Sequence, residues 1–209
     1  MKTRAYNNET RRRKKAALKE RIAAVTAELH AARGVTATRY ADIARQAGVS
    51  LPTVYSHFPT QDELLQGCTA HVMARAPALP VEKILAATDL PTAAASLVDA
   101  MEQQHLHFEP WMAWREDRVI PFLAAMAAEM RQSQAALLAN VLASHEVQGT
   151  QRELVAAWES ILSFDLWHRL AREHRLPRAA VRRMLVQCLL AVAGPAPASS
   201  SNPGPRRTP

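Results

Sequence analysis

A chain of 209 residues, 48% of them apolar, can bury a core and is too apolar to stay unfolded by composition. No apolar run approaches the roughly 18 residues of a membrane span, the N-terminus is polar rather than signal-like, and Cys68 and Cys188 lie outside any CxxC spacing; a cytoplasmic, reduced protein without a zinc site is expected. The net charge of +7 is unevenly placed. Residues 1–60 carry 12 Lys/Arg against 4 Asp/Glu and the remainder 14 against 15, as in a polyanion-binding module joined to a nearly neutral body.

Scarce aromatics and abundant alanine favour packed helices, and the fold class read here is all-α. Residues 1–10 are polar and read as a flexible arm. Leu18, Ile22, Val25 and Leu29 then form one apolar helix face, which Gly34 ends. Short helices follow at about 39–47 and 51–58. A fourth starts near Thr60, which with Glu63 makes a capping box, and carries Leu64, Leu65, Cys68 and Val72. Pro77 and Pro80 break the chain, so residues 11–76 are read as one domain and 77–193 as a second, helical one. Helices are expected in it at about 91–107, 121–145, 151–174 and 177–193, with shorter ones near 81–88 and 109–118. Residues 194–209, rich in proline and serine, read as a disordered tail.

The most specific segment runs from Thr38 to Phe58. Ala44 and Ala47 allow two short helices to approach at a steep angle, and Gly48 suits a turn with positive φ. Ile43, Val49, Val54 and Phe58 can fill the wedge between the helices, and Ser50 can cap the second. Through Ala-Asp-Ile-Ala-Arg-Gln-Ala-Gly-Val-Ser (41–50), Thr-Val-Tyr-Ser-His-Phe (53–58) and Asp-Glu-Leu-Leu (62–65), the chain resembles the tetracycline-repressor (TetR) family of bacterial regulators over residues 12–75. The resemblance implies an N-terminal three-helix, helix-turn-helix DNA-binding domain, a variable ligand-binding domain and a homodimer held by the last two long helices.

It also places Leu51, Pro52, Thr53, Tyr55, Ser56 and His57 where family members touch DNA from the recognition helix, and Thr38, Arg39 and Tyr40 at the preceding helix start, where phosphates are met. Arg39 stands where a small hydroxyl residue is common, and Gln61 where a phosphate-binding lysine is common. Residues 50–58 hold no Lys or Arg, so a bidentate guanine contact must come from elsewhere; Arg39 suits either that role or a phosphate contact. The run Arg11, Arg12, Arg13, Lys14, Lys15 suits phosphates or a minor groove, with a solvated helix start or a localisation signal as the rival readings.

All four tryptophans fall in two C-terminal stretches, which nominates Met101, His105, Phe108, Trp111, Trp114, Met126, Trp158 and Trp167 as lining an effector site; plain core packing is the competing reading of each. A ligand is expected to enter between the Met101–Trp114 and Trp158–His168 segments. His105 and His107 diverge at two-residue spacing, so no metal is expected, and no cofactor. Val181, Met184, Leu185, Cys188, Leu189 and Val192 form an apolar stripe assigned to the dimer interface. A recognition helix of about two turns reads few base pairs, so a dimer on two half-sites is needed. The sequence carries no Ser-His-Asp order, phosphate loop or dinucleotide fingerprint, so no enzyme is expected. The expected function is a repressor that binds double-stranded, palindromic operator DNA and is released by a small, largely apolar effector. The alternative is a dimeric DNA-binding protein that senses nothing.

Overall fold

The computed structural model describes residues 3–145, 147 and 149–194, and for residues 3–7 the backbone alone. The tail expected from 194 onward lies, past Gly194, outside the described residues. Helices are the only regular elements among those described, so the fold is all-α. The chain divides into two compact units, Met1–Leu79 with Glu102–Gln132, and Pro80–Met101 with Ser133 onward.

The first unit opens with α1 (Thr3–Arg33), which runs back through the segment read as an arm. No Gly or Pro interrupts residues 1–33, and Arg13 pairs with Glu9 one turn away. Then come α2 (Tyr40–Ala47), α3 (Leu51–His57) and α4 (Gln61–Met73). Ile22, Leu29, Ile43, Ala44, Ala47, Val54, Phe58 and Leu64 form a buried cluster, with Leu18, Val25 and Val49 packed against it. The wedge expected between α2 and α3 is therefore filled as the residue types suggest. Gly48 takes the left-handed conformation (φ 64°, ψ 40°) and its N–H closes α2 on the Ala44 and Arg45 carbonyls. The Ser50 hydroxyl caps α3 by accepting from the Thr53 N–H at 3.3 Å, and Thr60 caps α4 by accepting from the Glu63 N–H at 3.2 Å. At Gly67 a Cβ would overlap the Phe58 ring, so the ring packs directly on the α4 backbone there.

The same unit contains the second part of α6 (Leu90–Met112), a 3-10 turn (Glu116–Arg118) and the start of α7 (Pro121–Ser144), once α5 (Val81–Leu85) has been passed in the chain. Ala27, Val35, Leu65, Cys68 and Val72 form a second buried cluster, joined by Phe108, Trp111, Ile120, Phe122 and Leu123. A single boundary near Pro77 therefore misses part of the N-terminal unit, because residues 102–132 return to pack on α1 and α4. The helices expected at 91–107 and 109–118 are largely one: α6 continues through Pro110 to Met112.

The second unit holds α5, the first part of α6, the rest of α7, α8 (Gln151–Ile161), α9 (Phe164–His168), a π-helical turn (Arg169–Glu173) and α10 (Arg178–Ala193). The helix expected over 151–174 is broken after Ile161. Ser163 is extended (φ −68°, ψ 150°) and caps a new start by accepting from the Leu166 N–H, which turns Phe164 and Trp167 into the core. Trp158 is fully buried and donates its indole N–H to the Leu189 carbonyl at 3.1 Å, tying α8 to α10. Asp99 of α6 accepts from both Nε and Nη2 of Arg182 on α10 at 2.6 and 2.9 Å.

Candidate nucleic-acid interface

Val54 faces inward from α3, which leaves Leu51, Pro52, Tyr55 and Ser56 exposed and Thr53 and His57 half-buried. The hydroxyls of this face are pre-set: Ser50 and Thr53 Oγ atoms lie 2.7 Å apart, and the Ser56 hydroxyl donates to the Thr53 carbonyl at 2.9 Å. Each keeps acceptor lone pairs for a base edge or phosphate. Tyr55 stacks on Tyr40 with centroids 4.5 Å apart and planes 9° from parallel, and the Tyr40 hydroxyl donates to the Phe58 carbonyl. The pair locks the start of α2 to the middle of α3, a link that spacing alone does not reveal.

Arg39 immediately precedes α2, extended (φ −102°, ψ 147°), exposed and without a side-chain cap bond. The helix start is thus open to a phosphate oxygen in place of a cap. Thr38 holds the approach by donating its hydroxyl to the Gly34 carbonyl at 2.7 Å. These pieces share one cleft of about 440 Å³, lined by Thr36, Thr38, Arg39, Tyr40, Leu51, Tyr55 and Gln61, with the buried His30, Leu64 and Leu65 also reaching it. The starts of α2 and α4 and the Leu51 and Tyr55 side chains of α3 therefore open onto a single concavity.

The missing basic residues of α3 are replaced from α1. Lys19 Nζ lies 5.0 Å from the Phe58 ring centroid, and burial, then Lys15 and Lys19, push the His57 imidazole below its usual value. Lys15 and Lys19, in the middle of α1, thus lie near the C-terminal end of α3. Arg11, Arg12, Lys14 and Lys15 are exposed, and Arg13 pairs with Glu9 at 2.6 Å on the open surface, where such a pair contributes little and is readily exchanged for phosphate.

The effector candidates separate between the units. His105, Phe108, Trp111, Trp114 and Met126 belong to the first, where Trp111 and Trp114 donate to the Ala27 and Ala31 carbonyls of α1 at 2.8 and 3.0 Å. Met101, Trp158 and Trp167 belong to the second, in or against its core. His107 Nε2 lies 3.1 Å from the Val72 carbonyl. The stripe of α10 also divides. Val181, Leu185 and Leu189 are buried in the core of their own unit, whereas Met184 (39% exposed), Cys188 and Val192 (41%) are open. The stripe is wide because it combines two faces. Cys68 is buried, and its thiol is pushed up to about 12 by that burial, so it is unreactive at neutral pH.

Residues 22–68 match the sequence profile described as "Bacterial regulatory proteins, tetR family". No curated protein sequence matches the chain. Among solved structures, the fold is similar to a transcriptional regulator from Saccharomonospora viridis in complex with choline (19% identity, 82% of this chain and 95% of that one, TM-score 0.62). It is similar as well to a tetR-family transcriptional regulator from Streptomyces coelicolor (19% identity, 85% and 80%, TM-score 0.60). A third is the multidrug binding protein EbrR complexed with imidazole (21% identity, 86% and 90%, TM-score 0.54). At these identities the likeness carries the fold, while the matched segment spans α2, α3 and the cleft they open onto. The similarity to the tetR family of bacterial regulatory proteins is thus carried by residues 22–68, and the solved structures extend the likeness of fold to most of the chain.

Proposed function

We propose that the protein is a repressor that binds a palindromic operator as a homodimer and leaves it when a small, largely apolar effector binds. The observation that carries the reading is the cleft shared by the uncapped start of α2 and by Leu51 and Tyr55 of α3, with Lys19 of α1 over the Phe58 ring just past the end of α3. Thr53, Ser56 and His57 read base edges, Leu51 and Pro52 meet thymine methyls, and Thr38, Arg39, Tyr40 and Arg11 to Arg13 hold phosphates.

The dimer forms through the outer face of α10, Met184, Cys188 and Val192 at four-residue spacing, apolar and uncovered within the chain. The effector enters the second unit, whose aromatic core of Trp158, Phe164 and Trp167 adjoins the half-buried Met101. Neighbours solved with choline and with imidazole support a sensing role for this fold. One observation favours the non-sensing alternative: Trp158 is fully packed with its N–H already satisfied inside the core. Thermal shift across small apolar and cationic compounds separates the two, since a sensor is stabilised by a ligand of its folded state.

The DNA reading is tested by selecting a duplex from a random-sequence pool and titrating it against a scrambled duplex. A preference of about 1,000-fold or more is expected. Equal affinity for both duplexes rejects sequence-specific regulation.

A further inference from the structure

The segment from Gln104 to Glu116 makes a series of polar contacts that fall mostly on backbone atoms of residues 27–77. Gln104 donates to the Pro77 carbonyl, His107 Nε2 lies against the Val72 carbonyl, and Trp111 and Trp114 donate to the Ala27 and Ala31 carbonyls. The last contact is the strongest. The Glu116 carboxylate accepts from the Val35 N–H at 2.6 Å, and from the Thr36 N–H and hydroxyl at 2.8 Å each. Charge-assisted bonds of this length are about twice as strong as neutral ones.

The location makes this contact unusual. A carboxylate just past the end of α1 faces the negative end of that helix's dipole, an unfavourable place for an anion. It is reached through Arg115, which adopts a left-handed conformation (φ 57°) that side chains other than glycine seldom take. It also needs Gly34, where a Cβ would come 3.0 Å from Glu116 Oε1. These costs are carried to hold one turn, and that turn leads into the DNA-facing cleft. Thr36 lines the cleft, the Thr38 N–H donates to the Val35 carbonyl at 3.1 Å, and Arg39 follows directly.

We propose that Glu116 is a positioning residue for DNA binding: clamped on Val35 and Thr36, it sets the placement of Thr38, Arg39 and Tyr40 against the phosphate backbone. The inference rests on the DNA-binding reading above. Glu116 itself touches no DNA. It lies at the junction of α6 and α7, so any movement of that junction alters the DNA-contacting turn directly, without passing through α4.

The test compares wild type, Glu116→Ala and Glu116→Gln on the duplex that wild type selects from a random pool, with amide hydrogen exchange as the second readout. Glu116→Ala is expected to speed exchange at Val35 and Thr36 at least ten-fold and to weaken the selected duplex about ten-fold. It also lowers the slope of log affinity against log salt by about one, for the phosphate contact no longer held. Glu116→Gln, which keeps an acceptor oxygen, recovers part of each effect and remains informative if the alanine variant fails to fold. Faster exchange with unchanged affinity and slope for either variant overturns the proposal, leaving a purely structural clamp. An affinity loss that matches the unfolded fraction, with the salt slope intact, overturns it as well. If wild type shows no preference for the selected duplex, the DNA-binding reading fails instead.

Discussion

Helices α2 and α3 line the cleft and Glu116, at the end of the segment Gln104–Glu116, holds the turn that leads into it, yet the two regions depend on different kinds of information. In α2–α3 each position obeys a local rule: Gly48 for the left-handed turn, Ser50 for the cap, Ile43 and Val54 for the wedge. In Gln104–Glu116 the partners, the Thr36 hydroxyl apart, are backbone carbonyls and N–H groups that nearly any residue type would present. A side chain that reads backbone leaves no complementary residue to find. The first region can be recognised from spacing, and the second needs coordinates.

Breaking the local rules produces the largest effect. Phe58 is buried and packs on Gly67, so Phe58→Ala is expected to cost about 3–5 kcal/mol by chemical denaturation and to abolish DNA binding. A cost under about 1 kcal/mol would mean the α3–α4 contact is not the core of the first unit.

Acid acts on both regions through His30, which reaches the cleft and feels the Glu116 charge. Burial pushes its imidazole from 6.5 down to about 4, against an opposing pull from Glu116. The unfolded chain protonates this histidine below about 6.5 while the folded one resists until about 4. Its contribution is therefore fully present above 6.5 and is lost as pH falls through that window, by at most roughly 3 kcal/mol. Glu116 acts at the lower edge. Burial raises its carboxyl, but the Thr36 and Val35 donors outweigh this and hold it below its usual 4.5, so its contribution is lost only as pH falls through that lower value. His30→Gln should flatten the stability-against-pH curve between 6.5 and 4; an unchanged curve would assign the loss to other groups.

On the exposed face of α3, Ser56→Ala or Thr53→Ala is expected to cost about 1–3 kcal/mol on the selected duplex and much less on a scrambled one. Replacing Arg11, Arg12 and Arg13 with Ala should instead weaken both duplexes alike and flatten the salt dependence. Equal losses for Ser56→Ala on the two duplexes would remove it from base readout.

The smallest effect on folding is expected at the outer face of α10. Met184→Glu or Val192→Glu should change monomer stability by less than about 0.5 kcal/mol while giving monomers by light scattering. Leu185→Asp would bury a charge in the core of its own unit and disturb the fold itself. A Met184→Glu protein that stays dimeric would move the interface elsewhere.

The helix order, the helix-turn-helix wedge and the caps at Ser50 and Thr60 were legible because short-range chemistry sets them. The break at Ser163 carried a signal, a serine three residues before Leu166, that the continuous apolar pattern of 151–174 outweighed. The Val181–Val192 stripe was readable as apolar but not as two faces, because residues four apart in a helix share a side whether they meet their own core or a partner. Clustering of tryptophans suggests a single site, yet indole N–H groups that donate to α1 carbonyls place two of them with α1 in the first unit. The Tyr40–Tyr55 stack and the Glu116 clamp join distant positions through geometry alone.

In the function proposed above, α3 reads DNA as one of a symmetric pair. Hydroxyl-radical footprinting on the selected duplex tests it most directly. Two protected patches of equal strength, on palindromic half-sites one helical turn apart at about 34–36 Å or a multiple of that spacing, are the expected result. A single patch, or protection spread evenly along the duplex, would contradict it.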